Sequence, residues 1–138
     1  IKILSQVAVG KKEKIFIFGN DYNTKDGTAV RDYIHVSDLA NIHLEVAKYL
    51  LIIKESNIFN CGYGRGYSVQ EVIDEGNRLT GNKIKFEYAN RRIGDAEELV
   101  SNIEKISKHI NYKPKFNNLS VIIESSISWE KKLYEQNL

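Results

Sequence analysis

Methionine is absent from the 138 residues, cysteine and proline occur once each, and no apolar run is long. Each scarcity excludes something. The lone Cys61 cannot build an intrachain disulfide framework, and His35, His43 and His109 stand at no ligand spacing, which leaves little for a zinc site. The cytoplasm is the compartment such a chain suits. Apolar stretches such as Tyr49 to Ile53 fall far short of the roughly 20 residues that cross a bilayer, and no basic-plus-apolar leader precedes a cleavage site. No membrane partner is expected. Single-sign charge is also missing: 20 Lys and Arg are interspersed with 18 Asp and Glu, for a net charge of +2, so no footprint for nucleic acid is present. The missing methionine carries the expectation that residue 1 is a cut end, with further sequence upstream.

What is present is ordinary globular material for about one domain, with 42% apolar and 28% charged residues. Ile3, Leu4, Val7 and Ala8 fit the later turns of a helix closed by Gly10. "KIFIFG" (14 to 19) predicts a strand, followed by a polar loop to Thr28 with an Asp-Gly turn signal. Ser37 or Asp38 is placed to cap a helix whose buried face is Leu39, Ile42, Val46, Ala47 and Leu50. "NIFNCG" (57 to 62) reads as a buried strand. "SVQE" (68 to 71) is a capping box opening a helix that Gly81 stops. "KIKFEY" (83 to 88) alternates like a half-buried strand, "ANRRIGDAEE" is a polar loop, and "SNIE" (101 to 104) is a second capping box. Pro114 ends any helix there, and a last helix from about Leu119 carries Ile122, Ile123, Ile127 and Leu133, with Trp129 at the edge of that face. Strands alternating with helices give an α/β class without internal repeats.

Two places could hold an anion. "GYGRG" lies between the strand ending in Cys61 and a helix N-terminus, as a phosphate-cradling dinucleotide turn would. However, Gly62, Gly64 and Gly66 are spaced two apart, and Tyr67 stands where G-x-G-x-x-G requires its third glycine. Glu87 could serve as the ribose acid of such a site, or the segment is a glycine-rich connection without a ligand. The second place is a pair of arginines, Arg31 in "VRDY" and Arg92 in "RRIGD", each in a loop beside a regular element. A guanidinium fork matches a phosphate in bidentate fashion, and two would suit a diphosphate. Alternatively, Arg31 pairs with Asp32 or another surface acid and Arg92 is solvated. "FIFG" offers aromatic faces and unpaired backbone groups to a base, and Asp95, after Gly94, could accept sugar hydroxyls. No catalytic triad is visible, and Cys61 reads as core.

"IFGNDYNTKDGTAVRDYIHVSDLANIH", "FNCGYGRGYSVQEVI" and "RRIGDAEELVSNIEKI" together resemble the C-terminal half of the UDP-glucose 4-epimerase family, with motifs in the same order from "SQVAVG" to "SISW". The resemblance implies the C-terminal substrate-binding portion of an extended short-chain dehydrogenase, in the NAD(P)-binding Rossmann superfamily, without its N-terminal Rossmann part. It implies an isomerase acting on UDP-glucose and UDP-galactose, commonly a homodimer. NAD and the catalytic Tyr-x-x-x-Lys pair would be held by the N-terminal half, so this chain would supply no catalytic or cofactor-binding residue. By the same resemblance Phe16, Ile17 and Phe18 meet the uracil, Arg31 and Arg92 clamp the phosphates, and Asp95 holds the ribose after the Gly94 turn. Tyr33 matches the family's motif, Leu99 borders the hexose, and "GYGRG" becomes a strand-to-helix connection rather than the NAD turn. Asn23 and Asn90 stand where prolines are usual. Other UDP-sugar epimerases or decarboxylases, and a non-catalytic nucleotide-sugar-binding module, are the alternatives.

Overall fold

The computed structural model describes residues 1–136. In chain order the elements are α1 (Lys2–Ala8), β1 (Ile15–Phe18), β2 (Val30–Arg31), α2 (Val36–Ile53), β3 (Tyr67–Ser68), α3 (Val69–Thr80), β4 (Phe86–Ala89), β5 (Glu98–Leu99), α4 (Glu104–His109) and α5 (Leu119–Glu135). β1 and β4 form a parallel pair with Phe18 opposite Ala89. A second, three-stranded sheet has the order β3-β2-β5, with β2 antiparallel to β3 and parallel to β5. No helix among the described residues is long and apolar enough to cross a membrane.

The main core forms where α1, α3 and α5 close over β1. Leu4, Ile17, Ile73 and Ile123 are fully buried there. Gly76 lets α3 approach α1, because a Cβ at that position would stand 2.8 Å from Leu4 Cδ1. The capping box opens α3 as expected: Ser68 Oγ accepts from the Glu71 N–H while the Glu71 carboxylate accepts from the Ser68 N–H. Gly81 closes it in the left-handed conformation, and Gly10, at φ +79°, follows α1 in the same way.

Four expectations are corrected. Residues 57 to 62 are not a buried strand. Burial alternates along them, with Phe59 and Cys61 turned inward and Ile58 83% exposed, but no neighbouring strand pairs with them. Extended backbone without a ladder partner is not a sheet. Ser101 does not cap α4, which starts at Glu104, because the Ser101 N–H is drawn to Asp32 and Asn102 accepts from the Glu104 N–H instead. α2 is capped by neither Ser37 nor Asp38: His35 Nδ1 accepts from the Ser37 N–H, so the ring proton sits on Nε2 and is directed at Ser125 Oγ, 3.0 Å away. Of the face expected to be buried on α2, only Ile42 is fully covered, while Ala47 is exposed and Leu39, Val46 and Leu50 are half covered.

Candidate functional site

The residues named from sequence fall into two neighbouring groups and one separate position. The first group gathers at the end of β1. Ile17 is 1% exposed and belongs to the core, so its side chain is unavailable to a ligand, whereas Phe16 and Phe18 face outward. The ladder to β4 takes up the N–H groups of Ile15 and Gly19. By the two-residue alternation of a strand, the N–H and C=O groups of Phe16 and Phe18 point to the opposite edge, which has no partner among the described residues. That edge is a row of donors and acceptors beside an aromatic ring. Over Phe18 lies Arg92, its guanidinium carbon 4.6 Å from the ring centroid. One face of the ring expected against a base therefore carries the guanidinium. Asp95 accepts from Arg92 Nε at 2.8 Å, and its own N–H donates to the Arg92 carbonyl, closing a turn with Gly94 at φ +85°.

The second group surrounds Arg31. Its Nη1 donates to the carbonyl oxygens of Val30 at 2.7 Å and Glu97 at 3.5 Å, and it forms no ion pair among the described residues. Pairing with Asp32 does not occur. Leu99 lies opposite Arg31 across β2 and β5, is 57% exposed, and shares with Arg31 and Asn60 an open hollow of about 370 Å³. Asn60 had no signal in the sequence, since the segment carrying it reads as a strand. Tyr33 is set apart. It packs on the main core and lines an apolar groove with Ile34, Ile122 and Trp129, and burial raises its phenol pKa against the opposing charge of Arg31.

The glycine segment does hold an anion, but one supplied by the chain. The N–H groups of Tyr63 and Gly64 donate to the Asp32 carboxylate at 3.0 Å, and the Ser101 N–H joins them at 3.3 Å. Gly62 is required by the close approach: a Cβ there would lie 2.3 Å from Asp32 Oδ2 and 2.5 Å from Ser101 Oγ. A nest of backbone donors is an anion site in general, and here Asp32 fills it. Glu87, the acid considered for a dinucleotide at this loop, pairs with Lys14 at 2.7 Å on β4. Tyr63 continues the network by donating its hydroxyl to Asp38 at 2.6 Å, and Asp38 also accepts from the N–H groups of Lys115 and Phe116. Burial pushes the Asp38 carboxyl up, but these three donors outweigh it and hold the group below its ordinary value. Tyr112 is half-buried, and that burial together with the nearby charges of Asp32 and Asp38 pushes its phenol up to about 12.

The loop from Asn20 to Thr28 joins β1 to β2 and so links the two groups along the chain. Asp26 accepts from the N–H and hydroxyl of Thr28 and from Ser68 Oγ, and the Tyr22 N–H donates to the Gly27 carbonyl. Arg91 adds a strut from β4, with Nε on Asp21 at 2.6 Å and its guanidinium carbon 4.0 Å from the Tyr22 ring centroid.

A mixed α/β unit that presents arginines beside an open strand edge matches the fold of extended short-chain dehydrogenases. Among solved structures, the chain is 46% identical to the UDP-Glc/GlcNAc 4-epimerase of Campylobacter jejuni, with a TM-score of 0.85, over 95% of this chain and 40% of that one. It is 34% identical, with a TM-score of 0.84, to the UDP-glucose 4-epimerase of Bifidobacterium longum in complex with NAD+ and UDP, over 95% of this chain and 38% of that one. The UDP-glucose 4-epimerase of Halalkalibacterium halodurans is 42% identical over 132 residues, which are 96% of this chain and 40% of the relative. The family described as GDP-mannose 4,6 dehydratase matches residues 1–124, and the chain belongs to it. The chain spans about 40% of the length of the relatives it matches.

Proposed function

We propose that this chain is the UDP-gripping portion of an NAD-dependent UDP-glucose/UDP-galactose 4-epimerase, a cytoplasmic homodimer in its full-length form. One observation carries the reading. Arg92 and Asp95 are assembled beside Phe18 at the free edge of β1, and Arg92 Nη1 and Nη2 have no acceptor among the described residues. In this reading the uracil lies along the backbone of Phe16, Ile17 and Phe18 and against the open part of the Phe18 ring. Arg92 and Arg31 take the phosphates, Asp95 the ribose, and the hexose lies toward Leu99, with Tyr33 backing Arg31. The glycine loop does not fit a dinucleotide, because its N–H groups are engaged by Asp32. NAD, which supplies hydride transfer, is accordingly assigned to residues outside this chain, and no catalytic step is assigned within it.

The apolar faces fit the same reading. Val36, Leu51, Ile52 and Ile58 are each more than 70% exposed, and the groove lined by Tyr33, Ile122 and Trp129 measures about 740 Å³. Exposed apolar surface of this kind marks an interaction site. We assign its cover to the NAD-binding half, with residues 57 to 61 pairing there as a strand.

Calorimetry on the full-length gene product tests the grip. Arg31→Ala and Arg92→Ala should each weaken UDP binding by roughly 1.5–3 kcal/mol, the scale of a charge-assisted hydrogen bond, and leave uridine almost unchanged. Lysine at either position should rescue only part of the loss. Unchanged UDP affinity with lowered thermal stability would make both arginines structural and the reading wrong. The 138-residue chain alone should not convert UDP-galactose, with or without added NAD, and turnover above a no-protein blank would contradict the division of labour.

A further inference from the structure

We propose that Asp95 is a positioning residue for Arg92, fixing the guanidinium so that its two η nitrogens stand as a ready fork for a phosphate. The inference rests on the reading of Arg92 as a phosphate ligand and deepens it, since that reading gives Asp95 the ribose alone. Between Asn90 and Val100 every residue is exposed except Asp95. Its carboxylate takes the Nε proton of Arg92 at 2.8 Å, the guanidinium N–H nearest the aliphatic stem, and so leaves the outer edge of the fork open. The guanidinium plane is supported from beneath by Phe18. The turn that carries both residues is closed by the Asp95 N–H, which is bonded to the Arg92 carbonyl at 3.2 Å.

Arg91, one residue earlier, shows what a structural arginine looks like in the same place. It also rests on an aromatic ring and also gives Nε to an aspartate, but its Nη2 is directed at the Asp21 carbonyl, so one arm of its fork is engaged. Arg92 differs in that neither η nitrogen is engaged by any of the described residues. A cation held in position before the ligand arrives loses less side-chain freedom on binding.

Titration of the full-length gene product with UDP and with uridine separates the roles, using the parent, Arg92→Ala, Asp95→Asn and the double variant. Asp95→Asn should weaken UDP on the order of tenfold and uridine by a distinctly smaller factor. In the Arg92→Ala background the extra loss for UDP should vanish. Asp95→Glu, which keeps the carboxylate, should recover part of it. The ratio of UDP to uridine affinity within each variant cancels any general weakening of the fold. Equal losses for the two ligands, or an undiminished UDP loss in the Arg92→Ala background, would assign Asp95 to the ribose alone and overturn the proposal while the UDP reading stands. An Arg92→Ala variant that binds UDP as the parent does would overturn both.

Discussion

The glycine loop at residues 62 to 66 and the arginine turn at 91 to 95 both read as anion sites, and the structure separates them by who supplies the anion. At the glycine loop the chain does: three backbone N–H groups converge on Asp32. At the arginine turn the internal carboxylate satisfies one N–H of Arg92 and leaves the η nitrogens without an acceptor among the described residues. The donors are alike in kind. A site that is internally complete tightens the fold, and one left short of an acceptor is set to bind. The two also differ in cover, since Gly62 is buried among side chains whereas a Cβ added at Gly94 would meet nothing within 4 Å.

Filling the glycine loop should break its side of the contrast with the largest effect. Gly62→Ala places a methyl group 2.3 Å from Asp32 Oδ2, so the carboxylate must leave its donors or the loop must open. The Tyr63 and Ser101 N–H groups are part-buried and cost about 1–3 kcal/mol each without an acceptor, so a loss of about 2 kcal/mol or more in urea unfolding is expected. A change below about 1 kcal/mol would mean that Asp32 is not holding the loop. Gly94→Ala, at φ +85° with open space around it, should cost only about 1 kcal/mol, from backbone strain alone.

Acid sharpens the comparison from the same side. Asp38, which anchors Tyr63 and residues 115 to 116, has its carboxyl held below the ordinary 3.8, and Asp26, which staples Thr28 to Ser68, is also lowered. Hydrogen-bonded Glu75 is lowered to about 2 by Arg78 and Ser120. Carboxylates whose folded values are depressed stabilise the fold fully above their unfolded values and lose that contribution as pH falls through the folded ones. The melting temperature should hold from neutral pH to about 5 and decline below about 4. Asp38→Asn should flatten part of that decline, and a melting temperature insensitive to pH in this range would remove these carboxylates from the account.

Local chemistry made α1 and α3 legible in the sequence, because Gly10, Ser68 with Glu71, and Gly81 act within a turn or two of their own helices, and α5 was legible from the spacing of Ile122, Ile123 and Ile127. The two-residue strands β2, β3 and β5 were not legible, since they exist only through pairing between residues 30 and 98 or 31 and 67, far apart in the chain. Period-2 burial in 57 to 61 was legible, but a ladder needs a second strand. Arg92, Gly94 and Asp95 could be read as a unit because three residues of one turn suffice to build it. The role of Asp32 could not, because its donors come from three distant positions, and the adjacent Arg31 invites an ion pair that the structure does not contain.

Hydrogen exchange of the full-length gene product, measured with saturating UDP and again with saturating uridine, tests the contrast most directly. Subtracting the uridine pattern isolates what the phosphates do. The added protection should concentrate in peptides covering residues 90 to 99, where the turn carries Arg92, and peptides covering 61 to 66 should exchange alike in both states because the Tyr63 and Gly64 N–H groups there are already bonded to Asp32. Protection by the phosphates at 61 to 66 with none at 90 to 99 would contradict the account, placing the phosphate at the glycine loop and leaving the arginine turn as solvated surface.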